Sequence, residues 1–231
     1  MGKGTMRAVV LLVMLAAGWW GLQKLPPQYN PFALLTLDEP PTVVTRYKLH
    51  QLANHPQECM ALLAQARERG MISWRAQADS TGECPLTRVV RVTRFGNVSL
   101  SSSFLASCPL AVRSAMFIHR VAPKVMQTQG SALVRIDHVG SYACRNIYHR
   151  AQGRRSEHAT ADALDISGFR FADGQRITVE KGWRGAGSSS RALRMLFKES
   201  CAFYGNALGP EYNAAHAGHF HLGVNWFGLC H

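Results

Sequence analysis

The chain has 231 residues, a formal charge of +12, 47% hydrophobic residues and 17% charged ones. That composition excludes a disordered chain, and the length suits one well-buried domain or at most two small ones. The charge draws polyanions, so the compartment decides which partner is met.

The first feature in chain order is an uncharged run from Ala8 to Leu22, "AVVLLVMLAAGWWGL", behind Lys3 and Arg7. A basic flank before an apolar stretch is the layout of an export signal. The run of 15 residues is short for a membrane span, which takes roughly 17–25. "AAG" at 16–18 offers a cleavage site, whereas Trp19 and Trp20 suit a membrane interface. Residues 1–24 therefore read as a signal anchor or a signal peptide, and either places the rest outside the cytoplasm. Cysteine usage agrees. Cys59, Cys84, Cys108, Cys144, Cys201 and Cys230 all lie beyond the run and form no CxxC pair, so three disulfides are expected. Six cysteines allow fifteen pairings. Nucleic-acid binding fits the charge but neither the export signal nor the cysteines.

Residues 25–44 carry Pro26, Pro27, Pro31, Pro40 and Pro41, which predicts an extended tether without regular structure. Residues 45–231 form the expected domain. A helix is predicted from Pro56 to Arg69, ending on Gly70, then a hairpin over 88–101 around "FGN". Apolar residues at helical spacing mark Cys108 to Met126. Strands are predicted at 132–139, 162–171 and 176–180, a serine-capped helix at 188–205, and a closing strand in "HFHLGV". The expected fold class is α+β, a mainly antiparallel sheet with helices on one side.

In "GHFHLGV", His219 and His221 stand two apart and face the same way on a strand, about 6.6 Å from each other. In "SEHATADALDISGF", His158 precedes Asp165 by seven residues. An aspartate between leucine and isoleucine is costly to bury unless paired or bound to a cation. His158, Asp165 and one histidine of "HFH" make three protein ligands for Zn²⁺, with a fourth position left for water. The plain alternative is a turn-capping Asp165 and an exposed loop histidine. Glu157 and Asp162 read as solvated charges, His216 as a site neighbour or a loop residue, and Trp183 as cleft or core. Arg150, Arg154, Arg155, Arg170, Arg176, Lys181 and Arg184 crowd the same region; such a basic rim favours anionic wall peptides or lipid headgroups.

The pattern SxHxxxxAxD followed by HxH resembles the zinc peptidases that include D-Ala-D-Ala carboxypeptidases and lysostaphin-type endopeptidases. More closely, residues from about Pro31 to Cys230 resemble the bacterial extensin-like C-terminal domain family. The matching stretches are "YNPFALLTLDEPPTVVT", "SYACRN", "SEHATADALDISGF" and "LGPEYNAAHAGHFHLGV". The resemblance implies a zinc D-Ala-D-Ala peptidase-like fold acting on peptidoglycan stem peptides. It implies His158, Asp165 and His221 as zinc ligands, and His219 as acid/base or transition-state stabiliser. Arg145 would grip a carboxylate or an oxyanion. The implied location is the bacterial inner membrane, with a single N-terminal pass and the domain in the periplasm, or the periplasm alone after cleavage. Two positions depart from the pattern. Ala161 stands where a glycine is usual, and no glutamate base precedes His221, only His216, His219 and the distant Glu211. A closed site with His219 as fourth ligand, or a non-catalytic wall-binding module, is the alternative function.

Overall fold

The computed structural model describes residues 2–225 and 228–231. Helix α1 (Lys3–Lys24) has every described residue outside the core. Its 22 residues make about 33 Å at 1.5 Å each, enough for the roughly 30 Å hydrocarbon layer of a bilayer. The apolar run alone is too short because the helix continues through its flanking residues at both ends. This helix is compatible with a signal anchor or a signal peptide.

The proline-rich segment is not free chain. After a 3-10 turn at Pro27–Tyr29, Leu37 enters the core and Glu39 is buried. Glu39 accepts from Lys48 Nζ at 2.8 Å, and Lys48 also donates to the Pro27 carbonyl at 2.8 Å. Lys48 belongs to α2 (Val43–Gln51), capped by Thr42, whose hydroxyl accepts from the Thr45 N–H. Prolines limit regular structure there without preventing packing. A chain begun at residue 45 would leave Lys48 buried without its carboxylate, a costly arrangement.

Helix α3 (Pro56–Glu68) starts with proline in its first turn and stops before Gly70, whose φ of +68° suits glycine. Strands β1 (Ser73–Ala76), β2 (Val90–Phe95) and β3 (Val98–Ala106) follow, the last two forming the expected hairpin. Ser107 caps α4 (Cys108–Gln129), which carries the chain across to β4 (Leu133–Gly140). The rest are β5 (Ala163–Phe171), β6 (Arg176–Thr178), the single turn α5 (Val179–Gly182), α6 (Ser188–Ser200), β7 (Asn206–Leu208), β8 (Phe220–Gly223) and β9 (Leu229–Cys230). Helix α6 ends five residues before Gly205, and its N-cap is Gly187 with no side-chain cap.

The fold is α+β, but the sheet is mixed rather than mainly antiparallel. Its order is β1-β2-β3-β4-β5-β8-β7-β9, with β6 on β5. The pairs β3–β4 and β7–β9 are parallel. The reason for the first is α4, a crossover helix that returns the chain in the same direction. One buried cluster joins helices and strands, with Phe117, Ile136, Phe169, Leu193, Phe220 and Leu222 near its centre. Trp183 is core, its ring centroid 5.6 Å from that of Phe220. The six cysteines pair as Cys59–Cys108, Cys84–Cys144 and Cys201–Cys230. Each crosslink removes freedom from the unfolded chain, typically about 2–4 kcal/mol.

Candidate metal centre

On the antiparallel pair β5–β8, Leu164 lies opposite Leu222, Asp165 opposite His221 and Ile166 opposite Phe220. The four apolar residues enter the core, so the pleat turns Asp165 and His221 to the other face. There His221 Nδ1 lies 2.9 Å from Asp165 Oδ1. His158 reaches the same carboxylate from a 3-10 turn, Glu157–Thr160, whose N-cap is Ser156. Ala161 closes that turn with a left-handed φ of +55°. Its N–H donates back to the His158 carbonyl at 3.3 Å.

His158 Nδ1 donates to the Ser141 carbonyl at 3.1 Å, which leaves Nε2 with its lone pair. That Nε2 is buried, lies 3.1 Å from Asp165 Oδ2 out of line for a hydrogen bond, and has no hydrogen-bond partner. One ligand atom each from His158, Asp165 and His221 lies within 4.8 Å of the others. His219, two residues before His221, places Nε2 3.5 Å from Asp165 Oδ2.

Glu157 is not the solvated charge expected from sequence. Its Oε2 lies 3.1 Å from His221 Nε2 and accepts from Asn206 Nδ2 at 2.8 Å, while Oε1 accepts from the Asn225 N–H at 3.0 Å. Gly223 makes room for this. A Cβ there would strike both the Asn206 side-chain oxygen and the Glu157 carboxylate. That close approach, a glycine two residues after His221, is the signal that sequence reading passed over. Asp162 is also half-buried, accepting from Thr160 Oγ1 at 2.6 Å, and burial pushes its carboxyl up.

His216 stands beside the cluster, its ring centroid 5.4 Å from that of His219, with Nδ1 2.7 Å from Asn213 Oδ1. Arg145 follows Cys144 of the second disulfide, is half-buried, and sits close enough for its charge to act on His219. Its guanidinium makes no hydrogen bond to a described residue. Glu211 is elsewhere, engaged by Trp183 Nε1 at 3.2 Å and by Arg194 at 3.5 Å. Of the basic rim, Arg150, Arg154, Lys181 and Arg184 are exposed and Arg155 pairs with Glu83 at 2.6 Å. Arg170 and Arg176 instead converge on Asp137.

The charges interlock. Burial works to raise the Asp165 carboxyl, but the His158 and His221 contacts prevail and hold it well below the carboxylate range. Burial works to lower His221, yet Asp165 and Glu157 on its two nitrogens push it up to about 9. Burial lowers His219, with His221 and His158 adding to the effect against Asp165. It also lowers His216, to about 4, with His221 and His219 adding. His221, held between the carboxylates of Asp165 and Glu157, supplies the positive charge they flank.

The residues fit a zinc ion. His158 Nε2, Asp165 and His221 Nδ1 are the nitrogen and oxygen donors that zinc takes. The far nitrogen of each histidine already meets an acceptor, Ser141 O or Glu157 Oε2, as such ligands require. The buried His158 Nε2 faces the Asp165 carboxylate without a hydrogen bond, a position that a cation held between the two would satisfy.

Among known proteins, the family described as extensin-like protein C-terminus matches residues 57–231. No curated protein and no solved structure matches the chain.

Proposed function

The chain belongs to the extensin-like protein C-terminus family, and from that premise we propose an exported, membrane-tethered, zinc-dependent peptidase acting on peptidoglycan peptides. The observation that carries the proposal is the convergence of one donor atom each from His158, Asp165 and His221 to within 4.8 Å, with the buried Nε2 of His158 facing Asp165 without a hydrogen bond. Location in the bacterial inner membrane with the domain in the periplasm, and likeness to the zinc D-Ala-D-Ala peptidases, are parts of the same proposal. The exposed apolar helix and the three disulfides support export.

His158, Asp165 and His221 would hold the zinc, which when bound supplies Lewis acidity to water and to a peptide carbonyl. Glu157 keeps His221 oriented through Nε2 and balances its charge. His219 takes the proton from the attacking water and returns it to the leaving nitrogen, a role imidazole fills near neutral pH. Arg145, whose charge acts on His219 and whose guanidinium makes no hydrogen bond to a described residue, orients a substrate carboxylate by a two-pronged grip.

The second reading is a wall-binding module on the same centre. It is favoured by the carboxylate nearest the cluster, Glu157, being fully engaged by His221, Asn206 and Asn225, so that no glutamate remains as base. Full-length protein in detergent, incubated with purified peptidoglycan, decides between the two. New muropeptide fragments by mass spectrometry, lost on His219→Ala, are the peptidase outcome. Pelleting with intact peptidoglycan and no new fragment at any pH leaves the binder.

A further inference from the structure

A second built site occupies the same sheet face. Cross-strand register places Arg94 of β2 opposite Ser99 of β3, Ser99 opposite Arg135 of β4, Arg135 opposite Arg170 of β5, and Arg170 opposite Arg176 of β6. Directly opposed residues share a face, so four arginines form one row across five strands, about 19 Å long at 4.8 Å per strand. Phe169, Phe171 and Ile136 beside them enter the core, which turns the row outward. Like charges directly opposed destabilise a sheet. Here Asp137, buried beneath three of them, offsets the repulsion.

The manner of that pairing matters. Arg135, Arg170 and Arg176 all reach Asp137 through Nε, at 3.0, 3.2 and 2.9 Å. None of their Nη nitrogens makes a hydrogen bond to a described residue. The side chains are 38%, 43% and 51% exposed above a carboxylate only 7% exposed. Asp137 thus fixes three guanidinium forks from behind and leaves their ends to solvent, the preorganised geometry that binds oxyanions two-pronged.

We propose that Arg135, Arg170 and Arg176, set by Asp137 and extended by Arg94, form a subsite for the carboxylates of an acidic peptide whose other end lies at the His158–Asp165–His221 cluster. Asp165 and Arg170 are five residues apart on one strand, about 16 Å. An extended peptide of four or five residues spans that distance. The proposal takes its substrate class from the peptidase reading, since peptidoglycan stems are short peptides rich in carboxylates. Continuity with the cluster favours a peptide over a lipid surface.

The test is pelleting of the full-length chain in detergent with peptidoglycan sacculi at increasing salt, beside sacculi whose stem carboxylates have been amidated. The variant R135Q/D137N/R170Q/R176Q removes the arginines together with their counter-charge, so no buried carboxylate is stranded. It should pellet about tenfold more weakly, the effect of one or two lost charge-assisted bonds, with metal content unchanged and a melting temperature lowered no further than that of Asp137→Asn. Wild type should lose as much on amidated sacculi. Arg94→Gln breaks no ion pair among the described residues and leaves the Asp137 cluster intact; it should cost roughly two- to threefold. Undiminished pelleting of both variants, equal pelleting of amidated sacculi, or a quadruple variant that loses binding to phosphatidylglycerol nanodiscs more than to sacculi would overturn the subsite. A chain that holds no metal yet shows these losses ends the metal reading and keeps this one; bound metal without the losses does the reverse.

Discussion

Asp165 on β5 and Asp137 on the adjacent β4 are both buried, both on the sheet face away from the core, and both surrounded by basic side chains. The partners differ in kind. Asp165 meets the imidazoles of His158, His221 and His219, whereas Asp137 meets the guanidiniums of Arg135, Arg170 and Arg176. An imidazole can shed its proton and offer a lone pair; a guanidinium cannot. One carboxylate therefore sits in a centre able to exchange protons for a divalent cation. The other sits in a permanently cationic patch that can only attract anions. Burial and strand placement are alike in the two, so the chemistry comes from the partners.

The largest expected difference between the two aspartates is in metal content. Purified full-length wild type should carry close to one zinc per chain by elemental analysis, and Asp137→Asn should match it. Asp165→Asn should carry none, because the amide replaces the only anionic donor of the set. Zinc retained by Asp165→Asn, or lost by Asp137→Asn, would erase the distinction.

The next effect concerns the carboxylate behind His221. Glu157→Gln keeps the shape of the contact but removes its charge, and metal affinity should fall by about 10–100-fold in a chelator competition. Gly223→Ala should act in the same direction by displacing Glu157 from His221. An unchanged affinity in both would make Glu157 a mere neighbour.

How far these centres are legible in sequence follows from spacing. The anomaly of Asp165 between Leu164 and Ile166 marks a buried charge, and His221 lies opposite it on β8. His219 precedes that strand in a bend, so the two-residue strand period does not hold for it, though its ring still comes within 3.5 Å of Asp165. The hairpin, α4 and β5 are legible for similar reasons of periodicity. Glu157 is not, because a glutamate beside a histidine in a polar loop looks like any solvated charge until Asn206 of β7 and Asn225 just beyond β8 arrive from far along the chain. The arginine row is invisible for the same reason: its members come from four strands and only register aligns them. Strands β7 and β9, three and two residues long, carry too little pattern to be seen. The parallel pair β3–β4 was implicit in a strand–helix–strand order that alternation within single strands does not reveal.

A smaller effect separates the two aspartates by pH. Burial works to raise the Asp137 carboxyl, but its bonds to Arg176, Arg135 and Arg170 hold it below its ordinary value. A carboxyl lowered on folding contributes stability above its unfolded pKa, near 3.9, and that contribution is lost as pH falls through the folded value. The melting temperature of wild type should therefore drop more steeply below about pH 4 than that of Asp137→Asn. At neutral pH the variant should be less stable by about 1 kcal/mol, since its half-exposed arginines keep their hydration. Parallel acid limbs in the two proteins would mean the three ion pairs contribute nothing to folding.

The smallest effect tests the turn that delivers His158. Ala161 holds a left-handed φ of +55° with its side chain fully buried near Leu86 and Val89. A left-handed alanine costs roughly 1–2 kcal/mol that glycine does not incur, while deleting its buried methyl forfeits about 0.8 kcal/mol. Ala161→Gly should thus be neutral to stabilising, by less than about 1 kcal/mol, or up to about 3 °C in melting temperature for a domain of this size. Zinc affinity should be unaltered, because the backbone already adopts the glycine conformation around His158. A loss of stability would show that packing of this methyl outweighs the strain. A loss of zinc would show that the rigid alanine, where the related pattern has glycine, helps hold His158 in place.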